Sequence, residues 1–252
     1  PRALGFEMSE TAILAGLCDL GGGLCSHHRV PFSPQTPEKA ADRLHAIGSE
    51  LLREANVEWH MLHGVGVAIP GHMNVAEGNV RWSSPFNWRD VPFKRLCEQR
   101  WKITTDVVND SLAGGMAAQL FDTSESVDNL VFLYVRFQDT SHSEVGLGTG
   151  IIVNGAPYHG EFGAAGEITT PVVHPVVHLK ELGGAPAQSL SAFADAVQQG
   201  DPVARQAMTR VGEELSTLVV HILNLLEPGV LMVGSDSAIL RDTMLDQWRE
   251  IL

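Results

Sequence analysis

Asn109 and Asp110 follow an apolar pair, Val107-Val108, and precede the small-residue run 111–118. This reads as the corner where a buried strand hands over to a helix. A carboxylate there has three uses. It can cap the helix, accept a proton from a substrate hydroxyl as a base, or bind vicinal hydroxyls with the neighbouring amide supplying a donor and an acceptor. The residues alone leave all three open. Further along, EVGLGTGIIVNG places Gly146, Gly148, Thr149 and Gly150 in one loop before an apolar run. Such a loop either presents backbone N–H groups to phosphate or makes a plain tight turn. HGEFGAAGEITT carries Glu161 and Glu167 around small residues that let the backbone approach a ligand. Glu167 is then a second hydroxyl acceptor or a solvated loop carboxylate. In SSPFNWRDVP, Asn87 and Arg89 flank Trp88, a mixture suited to sugar stacking and equally to core packing. His174 and His178 have the spacing of a metal pair on a helix, but Pro175 and the valines between them argue against a helix, and no third ligand is evident. No structural zinc is expected.

The elements that must hold these groups follow from periodicity. Residues 3–8, 12–19 and 24–31 read as short strands, with Asp19–Gly23 turning between the last two. A helix follows, with Thr36 as cap, Pro37 in the first position, and Ala41, Leu44, Ile47, Leu51 and Leu52 on one face. MLHGVGVAIPG is a strand, and MNVAEGNVRW a hairpin about residues 77–79. DVPFKRLCEQRW is a helix capped by Asp90, TTDVV a strand, and 111–120 a helix. The polar DTSESVDN is the expected connector, giving an N-terminal α/β lobe over 1–120 and a C-terminal one over 121–252. In the second, LVFLYVRF and GVLMVGS are strands, and GTGIIVNGAPYHG reads as a strand and a turn. SLSAFADAVQQG, the long segment opened by Asp201-Pro202 and stopped by Pro228, and AILRDTMLDQWREIL are helices. The last lacks a C-cap, so the chain is expected to be truncated there. Two α/β lobes with a ligand cleft between them are the expected architecture.

Composition removes several function classes. The 252 residues are 44% apolar, enough for a sizeable core. A formal charge of −13, from 17 basic and 30 acidic residues, opposes binding to nucleic-acid phosphates. Cys18, Cys25 and Cys97 form no CxxC unit and read as reduced thiols of a cytoplasmic protein. No apolar run approaches a membrane span.

Taken in order, these segments resemble the ROK family of sugar kinases and sugar-responsive transcriptional repressors, over about residues 4 to 240. The resemblance rests on GVGVAIPGHMNVAEGNVRWSSPFNWRDVPF, VVNDSLAGGMA, GLGTGIIVNGAPYHGEFGAAGEI and LNLLEPGVLMVGS. It implies an α/β, two-lobe actin-like ATPase fold of the ribonuclease H-like kind, with sugar between the lobes. It also implies contacts to a sugar or amino sugar from Asn109, Asp110 and Glu167, to which Asn87 is added for its place beside Trp88, and Asp110 as base in kinase members, which use ATP and magnesium. The chain departs from that pattern in four respects. The kinases' DxGGT phosphate turn is EMSET here, with Ser9 and Glu10 replacing glycines, which sets a carboxylate where triphosphate would lie. The histidine of GEiGH falls at Thr170, and no cysteine follows Cys97 to form the family's zinc cluster. The final glycine of the late GG is Ser235. The expectation is therefore a sugar-binding effector domain of a repressor-type member, without phosphoryl transfer or cofactor, whose closure on ligand biases a DNA-binding module lying ahead of Pro1. DNA would be reached only through that module, and a homodimer would match family habit. The alternative is a divergent ATP-dependent kinase of a hexose or amino sugar with Asp110 as base.

Overall fold

Apolar residues alternate along the first thirty positions, and that spacing produces strands that bury one face. A computed structural model of the chain describes residues 2–251 except 20, 76, 122–126, 139 and 169. Leu20 of the expected turn and residues 122–126 of the expected connector lie outside the described residues. β1 (Arg2–Met8), β2 (Ala12–Asp19) and β3 (Leu24–Pro31) form an antiparallel meander. Leu4, Phe6 and Met8 face one way and are buried with Ile13, Ala15 and Leu17. They share a core with α1 (Pro37–Glu54), whose Leu44, Ile47, Leu51 and Leu52 are buried at helical spacing. Burial of each such side chain stabilises the unit by roughly 1.5–3 kcal/mol. Thr36 accepts a hydrogen bond from the Lys39 amide at 3.4 Å and Pro37 opens the helix, as their types require.

After a 3-10 turn at Trp59–Met61, β4 (Leu62–Ile69) runs parallel to β1. Three short strands, β5 (His72–Asn74), β6 (Asn79–Ser83) and β7 (Trp88–Val91), make a separate antiparallel sheet. α2 (Phe93–Trp101) then leads to β8 (Thr105–Asn109), parallel to β4, and α3 (Asp110–Phe121) follows without a break. The five-stranded sheet has the order β3-β2-β1-β4-β8. Because β1, β4 and β8 are parallel, their C-terminal ends share one edge, where Ile69 pairs with Asn109. One expectation fails here, and one open choice is decided. Asp90 does not cap α2: it lies in β7 with φ 50, and the helix begins three residues later behind Pro92, with no side-chain cap. Trp88 is 3% exposed, packs against Phe86 and Phe93, and donates its indole N–H to the Gln35 carbonyl at 2.9 Å. It is core, not a stacking platform.

A second sheet has the order β11-β10-β9-β12, from β9 (Leu130–Arg136), β10 (Gly146–Val153), β11 (Ala156–Pro157) and β12 (Val230–Ser235). Its helices are α4 (Pro175–Glu181), α5 (Leu190–Gln199), α6 (Pro202–Leu226) and α7 (Ala238–Ile251). Ala204, Met208, Val211, Leu215, Val219 and Ile222 form the buried stripe of α6. The Gly146–Gly150 run is not a loop. All five residues pair in regular antiparallel register with Arg136 to Phe132 of β9, and none of its glycines has positive φ. The ladder satisfies the backbone of a glycine-rich segment as it does any other. Nor does Pro175 prevent a helix, because it occupies the first turn, where its missing N–H is not needed. His174 caps that helix through Nδ1, which accepts from the Val176 amide at 3.3 Å, and donates through Nε2 to the Phe137 carbonyl at 2.6 Å. With both ring nitrogens used, no lone pair is left for a metal. His178 instead meets Glu214 at 2.9 Å and Glu181 at 3.3 Å.

The chain divides into two units, one of Pro1–Thr123 with Pro157–Glu167, the other of Ser124–Ala156 with Ile168–Leu252. The segment Pro157–Glu167 thus belongs with the first unit. No described helix is long and apolar enough to cross a membrane.

Candidate functional site

Asn109 is the last residue of β8, and its amide is spent in three directions. Oδ1 accepts from the Leu112 amide at 3.0 Å, so Asn109, not Asp110, provides the side-chain cap of α3. Nδ2 donates to the Gly71 carbonyl just past β4, at 3.1 Å, and to Glu167 Oε1 at 3.3 Å. One side chain therefore joins the ends of two parallel strands, the start of a helix and the segment Pro157–Glu167. Such a strand-end edge is where α/β sheets gather ligands.

With the cap supplied by Asn109, Asp110 opens α3 half-buried, its Oδ1 accepting from the Ser111 amide at 2.8 Å. It lies close enough to Glu167 to disfavour a second charge there. Glu167 Oε2 is 3.5 Å from His72 Nε2, and the two side chains are 30% and 31% exposed. A small pocket at this point is lined by Met73, Val75, Asn109, Leu112, Tyr158, His159, Gly163, Ala165 and Glu167. All belong to the first unit. Gly163 has φ 73, and a methyl group there would collide with the Met73 carbonyl. The glycine is what lets 157–167 lie directly against β5 and deliver Glu167.

Of the expected site residues, Asn109, Asp110 and Glu167 come together. Asn87 is exposed on the turn between β6 and β7, with φ 53, and is not in the pocket lining. Glu161 and Thr170 are exposed. Gly146, Gly148, Thr149 and Gly150 lie in β10 of the other unit. The EMSET turn closes on itself: the Ser9 amide and hydroxyl both donate to the Ala12 carbonyl, at 2.8 and 3.0 Å, and the Ala12 amide donates back to Ser9 Oγ at 3.1 Å. None of residues 9–11 has positive φ. The serine hydroxyl thus does locally what a ligand-facing glycine turn would leave undone. Among the described residues no three His, Cys, Asp or Glu side chains are grouped to hold a metal ion. Sequence reasoning missed His72. Its only signal is a titratable residue directly after the Pro70-Gly71 strand end.

Burial, together with Asp110, raises the carboxyl of Glu167 above its ordinary value of 4.5, while His72 opposes the rise. The folded protein therefore holds this proton more tightly than the unfolded chain. The resulting stabilisation is complete below the ordinary carboxylate range and is lost as pH rises through the raised folded value. Glu167→Gln should accordingly melt at or above the wild-type temperature at pH 7 to 8, with a shallower loss of stability on the alkaline side of pH 5. Scanning calorimetry across that range checks this; a mutant melting well below wild type at pH 8 would contradict it.

The ROK family model matches residues 3–175. A putative xylose repressor from Caldicellulosiruptor sp. (strain Rt8B.4) is 22% identical over 249 residues, covering 85% of this chain and 60% of its own length. A glucokinase from Streptomyces coelicolor is 30% identical over 164 residues, covering 65% of this chain and 47% of its own. The chain spans 60% and 54% of the lengths of two Caldicellulosiruptor xylose-repressor relatives. Among solved structures, a ROK glucokinase from Streptomyces griseus in complex with glucose and AMPPNP superposes with a TM-score of 0.80 at 20% identity, over 99% of this chain and 89% of that one. A ROK transcriptional regulator homologous to the E. coli MLC protein gives 0.77 at 19% identity, over 99% and 70%. The fold is the two-lobe actin-like ATPase fold.

Proposed function

The chain belongs to the ROK family, and from that premise we propose that it is the sugar-binding effector portion of a ROK-type transcriptional regulator, without phosphoryl-transfer activity. The observation that carries this reading is the joining of Asn109 to Glu167 beside Asp110, while the β1–β2 turn is closed by Ser9. In this reading Asp110 and Glu167 accept hydroxyl protons of a sugar or amino sugar. Asn109 donates once the ligand displaces Glu167 from its amide. Two adjacent carboxylates with an amide match vicinal diols, whose O–H groups are donors at fixed spacing. Relatives that are xylose repressors and a regulator of the same fold agree with it. DNA would be engaged only through a module outside this chain.

The second reading, a divergent sugar kinase, is favoured by the glucokinase relative at 30% identity and by Asp110, whose carboxylate is not the cap of α3 because Asn109 fills that role. ATP and magnesium would then be required, and the base would deprotonate the hydroxyl that attacks the γ-phosphate. A coupled assay over a hexose, pentose and amino-sugar panel separates the two. The regulator reading expects no ATP-dependent turnover above background. Turnover that disappears in Asp110→Asn would replace it with the kinase.

A further inference from the structure

His72 has no part in the reading above, yet it is the imidazole that stands beside Glu167. Its position is built rather than incidental. β5 pairs it with Trp82 across the small sheet, and its ring packs edge-on against that indole, with centroids 5.6 Å apart at 68°. Arg89 in turn lies over the indole, 5.9 Å from its centre. The next residue, Met73, is where Gly163 presses the segment 157–167 onto β5. The same contact that delivers Glu167 therefore delivers it to His72. Each oxygen of the carboxylate then has one partner, Oε1 with Asn109 and Oε2 with His72.

We propose that His72 is a positioning residue for Glu167, holding Oε2 through Nε2 so that the carboxylate meets a sugar hydroxyl as an acceptor; this rests on the sugar-site reading. The groups facing Glu167 come from every side. His72 comes from β5, Asp110 from α3, Asn109 from β8, and His159 and Tyr158 line the same pocket from its own segment. Burial and Asp110 favour the protonated carboxyl, which donates rather than accepts, and His72 is the group that opposes them. Removing the imidazole leaves a half-buried carboxyl beside a like charge, so its proton is held to higher pH. Sugar affinity then fails first on the acid side.

Two measurements on the full chain test this, and the first needs no ligand. The Glu167 side-chain carboxyl is titrated by NMR in wild type, His72→Ala and His72→Gln. The proposal expects it to titrate at higher pH in His72→Ala than in wild type. An unchanged titration overturns the proposal whether or not any sugar binds. Calorimetric affinity for the best-binding sugar is then followed from pH 5.5 to 8.5. His72→Ala should weaken binding by about tenfold at neutral pH, the scale of losing one ion-pair partner within about 4 Å of a carboxylate, and by more at lower pH. His72→Gln, which keeps a donor, should recover most of that loss near pH 8. A uniform loss at all pH values, not rescued by glutamine, would assign His72 a merely structural role and overturn the proposal. If wild type binds no sugar, the sugar-site reading falls while the titration still decides the place of His72.

Discussion

Gly163→Ala is expected to lower the melting temperature by about 5–10 °C, from a cost of roughly 2–4 kcal/mol, and to remove sugar binding altogether. Two penalties coincide at this residue. Its φ of 73 lies in the left-handed region, where a β-carbon is strained, and the added methyl meets the Met73 backbone carbonyl, which cannot swing aside as a side chain can. Relief requires the segment 157–167 to lift from β5. That movement carries Glu167 away from both Asn109 and His72, so stability and binding fall together. Gly183 provides the comparison. It has φ 78 but nothing within 4 Å of the added carbon. Gly183→Ala thus bears the strain without the collision and should cost about 1 kcal/mol, with binding unaffected. Thermal denaturation of both variants, with and without sugar, makes the test. Equal losses in the two would show that the contact with Met73 does not matter.

Asn109→Asp should produce a large loss of binding for a very small change in shape. The substitution is isosteric and keeps the oxygen that caps α3 through Leu112. It removes the donor to the Gly71 carbonyl and to Glu167 Oε1, and places a third carboxylate beside Glu167 and Asp110. Loss of a half-buried hydrogen-bond donor costs about 1 kcal/mol, so the fold should survive with a lowered melting temperature. Affinity for sugar should drop at least about a hundredfold, since the donor is gone and the like charges disfavour an acceptor pair. Asn109→Ala, in contrast, also removes the cap. It should be the less stable variant, which separates the capping role from the binding role. Retained binding in Asn109→Asp would detach Asn109 from the ligand.

What the sequence showed and withheld follows a physical division. Strands β1 to β3 and helix α1 were legible because their signals are local: alternation, an N-cap and a proline in its favoured place. Asn109, Asp110 and Glu167 were legible as chemistry, and as a group through family resemblance. Their roles were not, because which of two adjacent polar residues caps α3 depends on where Gly71 and Glu167 arrive from distant parts of the chain. The glycines of β10 look like a loop in isolation. Only the partner strand β9 supplies the ladder that makes them extended. His72 was invisible for the same reason, since Trp82 and Glu167 reach it through a hairpin and a loop that composition does not place. Trp88 stayed open because core and platform tryptophans share a local sequence, and only the packing of Phe86 and Phe93 distinguishes them.

The most direct test of the sugar-site reading is a calorimetric titration of a pentose, hexose and amino-sugar panel into the wild-type chain and into Glu167→Ala, each with and without magnesium-ATP. Wild type is expected to bind at least one sugar at one site, Glu167→Ala to bind none, and magnesium-ATP to give no heat and no change in affinity. Sugar binding that survives in Glu167→Ala, or the absence of binding by every sugar, would contradict it.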